Sequence, residues 1–334
     1  MKPWFPEGRV RHASLRTEGP KFASSRRSVG IQASLRFISW RCERNFERFN
    51  MCLCPEEFAF RRLKLSHPYA SAFATSPWLP LPLFLIYRLI AAFYFLSWLI
   101  YSGFSDGNYW FIFLSNWVLT FVTAYFLLAM FITTHYCCGS GVEDDPAGYG
   151  PRRFKSETYI VGLSSEDENE TEDEGTSYAT KEDDEDGLSW PQKVLWVLFD
   201  IGSVTSLVIT IFYWSTLYPV KGGAIDGLNI NEHILAAVFM LIEVVFSNIP
   251  IRLLHFFYPH AFSSIYVLFS VIYWGAGGKN KEGLNYIYQI IDYEKEPGRA
   301  IFMVFFLLIV TQTMVHLFLF ILFRFRAWLI SKLQ

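Results

Sequence analysis

Two short runs of the sequence hold residue types that can do chemistry. The run LNINEHILAAVFMLIEVVF at 228–246 places His233 at the mouth of an apolar stretch and Glu243 inside it, and WFIFLSNW at 110–117 carries Ser115. A histidine within hydrogen-bond reach of a serine hydroxyl can accept its proton, which turns the oxygen into a nucleophile toward an ester. On its own, a serine in such a helix more often packs and bonds back to its own backbone, and a histidine at this place can be a satisfied interfacial residue. Arg88, Asp200, Glu243 and His316 also lie within apolar runs. Charge is expensive there, so such side chains turn inward and find partners.

The elements that must position these groups follow from composition. Hydrophobic residues make up 52% of the 334 residues and aromatic residues 19%, which points to lipid rather than water as the main solvent. Spans of roughly 20 apolar residues match a hydrocarbon core of about 30 Å. Such runs occur at about 81–102, 110–134, 191–216, 231–249, 259–276 and 300–323. Alternating strand patterns are absent, so the expected class is all-α: a polytopic transmembrane bundle of about six helices.

At ~1.5 Å per residue, Arg88, Asp200 and Glu243 fall at roughly 10–14 Å from one membrane face, with His316 a little nearer to it. A buried Arg88 with Glu243 or Asp200 is the natural pair, either to fix helix register or to hold a proton or ligand. From the other face, Asn229 and Glu232 have the spacing of an N-cap and its N3 carboxylate, so the fourth span should begin there. His233 then lies about 6 Å deep and Ser115 about 9 Å deep, a matching layer.

Sidedness comes from the basic residues. Residues 1–66 contain 14 Lys and Arg against 6 Asp and Glu. Arg61, Arg62 and Lys64 precede the first span, Arg252 lies between the fourth and fifth, and Arg324, Arg326 and Lys332 follow the last. Both termini are therefore expected in the cytosol. The expected organisation is a largely disordered tail over 1–78, a six-helix domain over 79–326 interrupted by the loop 139–189, and a short cytosolic end over 327–334. That loop carries 16 acidic and 4 basic residues and should be disordered, either a solvated linker or an acidic segment for protein partners, with Ser164 and Ser165 as phosphorylation candidates.

The sequon at Asn169 falls on the cytosolic side of this topology, where it would go unused. Cys42, Cys52, Cys54, Cys137 and Cys138 form neither a disulfide framework nor a metal spacing, while Cys137 and Cys138 stand where juxtamembrane cysteines are acylated. No cofactor, metal or nucleic acid is implied. GGAID and GAGGK lack the context of phosphate loops. A transporter would show inverted repeats or broken helix pairs, and neither is visible in the sequence.

The runs LIYRLIAAFYFLSWLIYSG, WFIFLSNWVLTFVTAYFLLA, ITIFYWSTLY, INEHILAAVFMLIE, SNIPIRLLHFFYPHAF, YVLFSVIYWGAGGKN and YIYQIIDYEKEPG resemble, in order, the Rolling stone family of multi-pass membrane proteins. That resemblance spans about residues 80–325 and implies a plasma-membrane role in cell fusion, notably of myoblasts, or in differentiation. WFIFLSNW, LNINEHILAAVFMLIE and YIYQIIDYEKEPGRA are more distantly similar to the androgen-induced and androgen-dependent transmembrane hydrolases, which cleave fatty acid esters with a threonine and a histidine. By that similarity Ser115 stands at the nucleophile position, with serine in place of threonine, and His233 at the histidine position. An acyl lipid would be the substrate.

Overall fold

The computed structural model describes residues 55–139, 188–221 and 227–333. The acidic run with Ser164, Ser165 and Asn169, the tail up to residue 54 with Cys42, Cys52 and Cys54, and GGAID lie outside the described residues.

Among the described residues, six helical runs make the bundle. Helix α1 is Leu81–Asp106 and α2 is Leu114–Gly139. Helix α3 runs Trp190–Phe212 and continues through a π segment, Tyr213–Leu217. Helix α4 is built of Gly227–Ile230, a π segment Asn231–Leu235, and Ala236–Phe246. Helix α5 is Phe257–Gly275, led in by a 3₁₀ turn. Helix α6 runs Pro297–Phe305, a π segment Phe306–Thr311, and Gln312–Leu333. Among the described residues, five runs are long and apolar enough to cross a membrane, and α4 is the sixth helix of the bundle.

The pattern of exposure is that of a membrane protein. Ile86, Ile90 and Phe93 on α1, Ile265, Leu268 and Ile272 on α5, and Ile301, Phe302 and Phe305 on α6 are all exposed at helical spacing. A stripe of large apolar side chains turned outward would be an aggregation surface in water and is the ordinary lipid face of a span. Helix α3 is central, packed against α2, α4, α5 and α6. Small residues allow this close approach: Gly202, Ser203 and Ser206 are buried, and a Cβ at Gly202 would already touch Met240 and Val122 at 3.4 Å.

Two expectations change. Residues 55–80 do not form a loose tail: three 3₁₀ turns, Pro55–Phe58, Phe60–Leu63 and Ala70–Phe73, pack onto the bundle, with Phe73 fully buried. Their hydrogen bonds explain why. Arg252 donates to the carbonyls of Lys64 and Ser66, Tyr258 to Leu63, and Trp78 to Val245. The Asn229 cap is also absent. The fourth run is helical from Gly227, and the Asn229 amide oxygen accepts from the Tyr213 hydroxyl instead.

GAGGK marks the stop of a helix. Gly277 adopts φ 78°, and the N–H groups of Gly277 and Gly278 return to the carbonyls of Trp274 and Tyr273. A Cβ at Gly278 would fall 2.4 Å from the Tyr273 ring.

Candidate functional site

The intramembrane charges come first. Arg88 is fully buried and forks onto Glu243, with Nε donating to Oε1 at 3.2 Å and Nη2 to Oε2 at 3.0 Å. Its Nη1 donates to the Phe73 carbonyl and to Thr133 Oγ1, both at 2.8 Å, and Tyr125 donates to Glu243 Oε2 at 2.8 Å. A buried ion pair persists only with bidentate geometry and answered lone pairs, and this one has both. Asp200 is not part of it. Its Oδ2 lies 2.7 Å from His255 Nδ1, and His316 Nε2 faces the Arg252 carbonyl at 3.1 Å. These groups join α1, α2, α3 and α4 to the segments 55–80 and 247–256 and do not line the cavity described next.

Ser115 and His233 do share a space. Both line a cavity of about 710 Å³, its mouth included, walled by α2, α3, α4, α5, α6 and the 276–296 connection. Most of the lining is apolar: Leu114, Val208, Ile209, Phe212, Leu217, Val267, Ile291, Val304, Leu307 and Leu308. Its polar members are Ser115, Tyr213, His233, Ser263, Tyr266, Tyr288 and Gln312, with no Lys, Arg, Asp or Glu among them. An apolar hollow with a few convergent polar groups is the usual form of a site for a small apolar ligand. A second cavity of about 420 Å³ shares Tyr266, Val267, Tyr288, Ile291 and Val304 with it.

Local structure sets the polar groups in place. Ser115 is the second residue of α2, whose first N–H, at Leu114, donates to the Tyr288 hydroxyl at 3.0 Å. That bond satisfies an orphan donor at the helix start. Asn116 anchors the same turn by donating to Asp106 Oδ2 and the Trp110 carbonyl, and Tyr266 donates to the Ile112 carbonyl at 2.8 Å. Burial pushes the Tyr288 phenol up to about 12, so it stays neutral in this role.

On the facing wall, the His233 ring stacks on Tyr213 with centroids 3.5 Å apart and planes 16° off parallel. Glu232 Oε2 stands 3.8 Å from His233 Nε2. A carboxylate beside an imidazole stabilises the imidazolium that forms when the ring takes a proton. Glu232 thus faces the histidine, where its spacing from Asn229 had suggested a cap.

The three π segments each supply lining residues. Tyr213 and Leu217 come from the first, His233 from the second, Leu307 and Leu308 from the third. Such segments are rare and gather at functional sites, because the extra residue in the turn opens helix packing. They have no composition signal, so sequence patterns could not locate them. Tyr213, Tyr288 and Gln312 were likewise missed, and Glu232 was read as part of a helix cap.

Residues 175–331 match the family described as Protein rolling stone. Over that stretch the chain is similar to the Rolling stone family. It is 31% identical over 121 residues to Protein rolling stone of Drosophila melanogaster, which is 35% of this chain and 44% of the fly protein. The chain therefore spans less than half the length of the curated relative that it matches. No solved structure matches. The Rolling stone match contains every lining residue of the larger cavity except Leu114 and Ser115.

Proposed function

We propose that this Rolling stone-like membrane protein hydrolyses acyl esters within the bilayer. The observation that carries this reading is the shared cavity: Ser115 and His233, from different helices, line one apolar hollow without charged side chains. In the first half-reaction Ser115 Oγ attacks the acyl carbonyl while His233 takes the hydroxyl proton. The C–O bond to the alcohol then breaks, and His233 returns the proton to the departing alkoxide. In the second half-reaction His233 deprotonates a water, which attacks the acyl-serine and releases the fatty acid and the free hydroxyl. Glu232 supports the imidazolium in both halves. The distant resemblance of the Ser115 and His233 runs to transmembrane fatty-ester hydrolases supports the same assignment.

The test is fluorophosphonate labelling of the purified full chain in detergent, comparing wild type with Ser115→Ala and His233→Ala. Labelling present in wild type and lost in both folded variants supports the reading. A folded wild type that takes no label defeats it.

A second reading, that the protein acts at the plasma membrane in cell fusion or differentiation, is supported by the similarity to the fly protein and the resemblance to its family. Depletion in fusing myoblasts, followed by rescue with wild type or Ser115→Ala, tests it. Unchanged fusion after depletion removes the fusion role, and equal rescue by both forms separates that role from hydrolysis.

A further inference from the structure

Gln312 is the first residue after the π segment of α6 and only 2% exposed. It lines the larger cavity, and its Nε2 has no hydrogen-bond acceptor. A buried amide donor left unanswered costs stability, so a chain that needed only packing here would do better with Leu or Met. Ser115 on α2 and His233 on α4 line the same cavity.

We infer that Gln312 anchors the ligand, donating from Nε2 to the carbonyl oxygen of a neutral acyl ester held in this cavity. This deepens the proposed function by naming the group that is recognised. The neutrality of the ligand follows from the lining. A free fatty acid would bring a carboxylate into an apolar space with no Lys or Arg to meet it, whereas an ester carbonyl asks for one neutral donor. The apolar wall takes the hydrocarbon chain, and the amide fixes where along that chain the reacting carbon stops.

The experiment uses the full chain in lipid nanodiscs, in the Ser115→Ala background so that nothing turns over. Three probes of equal chain length are titrated by fluorescence: a pyrene-labelled fatty acid methyl ester, the free acid at alkaline pH, and the pyrene-labelled alkane. We expect the ester to bind more tightly than the acid. Adding Gln312→Leu should weaken ester binding about tenfold, leave alkane binding unchanged, and hold or raise the melting temperature. An ester affinity unmoved by Gln312→Leu, an equal loss for the alkane, an acid that binds as well as the ester, or no ester binding at all would each overturn the assignment. Hydrolysis fails separately. A chain that binds the ester through Gln312 but never takes a fluorophosphonate keeps the anchor and loses the catalytic reading.

Discussion

The two ends of the bundle handle polarity in opposite ways. Around Arg88, charge is paired and bonded into the structure: Glu243, Tyr125, Thr133 and the Phe73 carbonyl answer the guanidinium and its carboxylate partner. Around Ser115 and His233, about ten residues or ~15 Å along α4 from Glu243, the lining is neutral, three helices pass through π turns, and space remains. One end holds the helices in register, and the other carries groups that packing alone does not require. Paired charge and open space are thus kept on separate layers of the same helix.

Substitutions can break this contrast. The largest effect is expected for Arg88→Ala, which strands a buried Glu243 carboxylate and should cost about 3–5 kcal/mol. The readout is loss of monodisperse protein on detergent size-exclusion chromatography, and Arg88→Met with Glu243→Met together should recover much of it. Next is His255→Leu, which removes the partner of Asp200 and should cost about 2–3 kcal/mol in thermal unfolding.

A third prediction concerns pH. Burial lowers the His67 imidazole from its ordinary 6.5 to about 4, with the Arg252 cation adding to the effect. The folded state disfavours the proton, so the unfolded chain binds more protons between these values. Stability is then full above about pH 6.5 and declines as pH falls toward 4, by up to ~1.4 kcal/mol per unit. Melting curves from pH 7.5 to 5 should show that decline, and His67→Gln should flatten it.

The smallest stability effect belongs to the open end. Ser115→Ala should change unfolding by less than ~0.5 kcal/mol while removing fluorophosphonate labelling. If Ser115→Ala destabilised the chain as much as Arg88→Ala, the separation of layers would be wrong.

The spans were legible in the sequence because lipid thickness fixes their length; α1 begins at Leu81 and α3 within a residue of its expected start. Counting residues along the spans also offered Glu243 as a partner for Arg88, and the two are bonded, and it set Ser115 and His233 in one layer, where both line one cavity. Azimuth was not legible. Asp200 shares the depth of Arg88 yet turns toward His255, because counting residues along a helix does not say which neighbour its side chain faces. The turns over 55–80 lack any helical or strand period, so their attachment through Arg252, Tyr258 and Trp78 had no signal to read. Gln312 stands between Thr311 and Thr313 with no motif around it, and only its place on the cavity wall gives it meaning.

The π segments also say how the hollow is made. A packed bundle can gain space by shrinking side chains, yet Tyr213, His233 and Leu307 at these turns are large. Here the space comes from chain length, since each π turn uses more residues than an α turn to cover the same rise. Deleting Ile309 or Val310 from Phe306–Thr311 should therefore close the hollow without removing any side chain that lines it, which no point substitution can do.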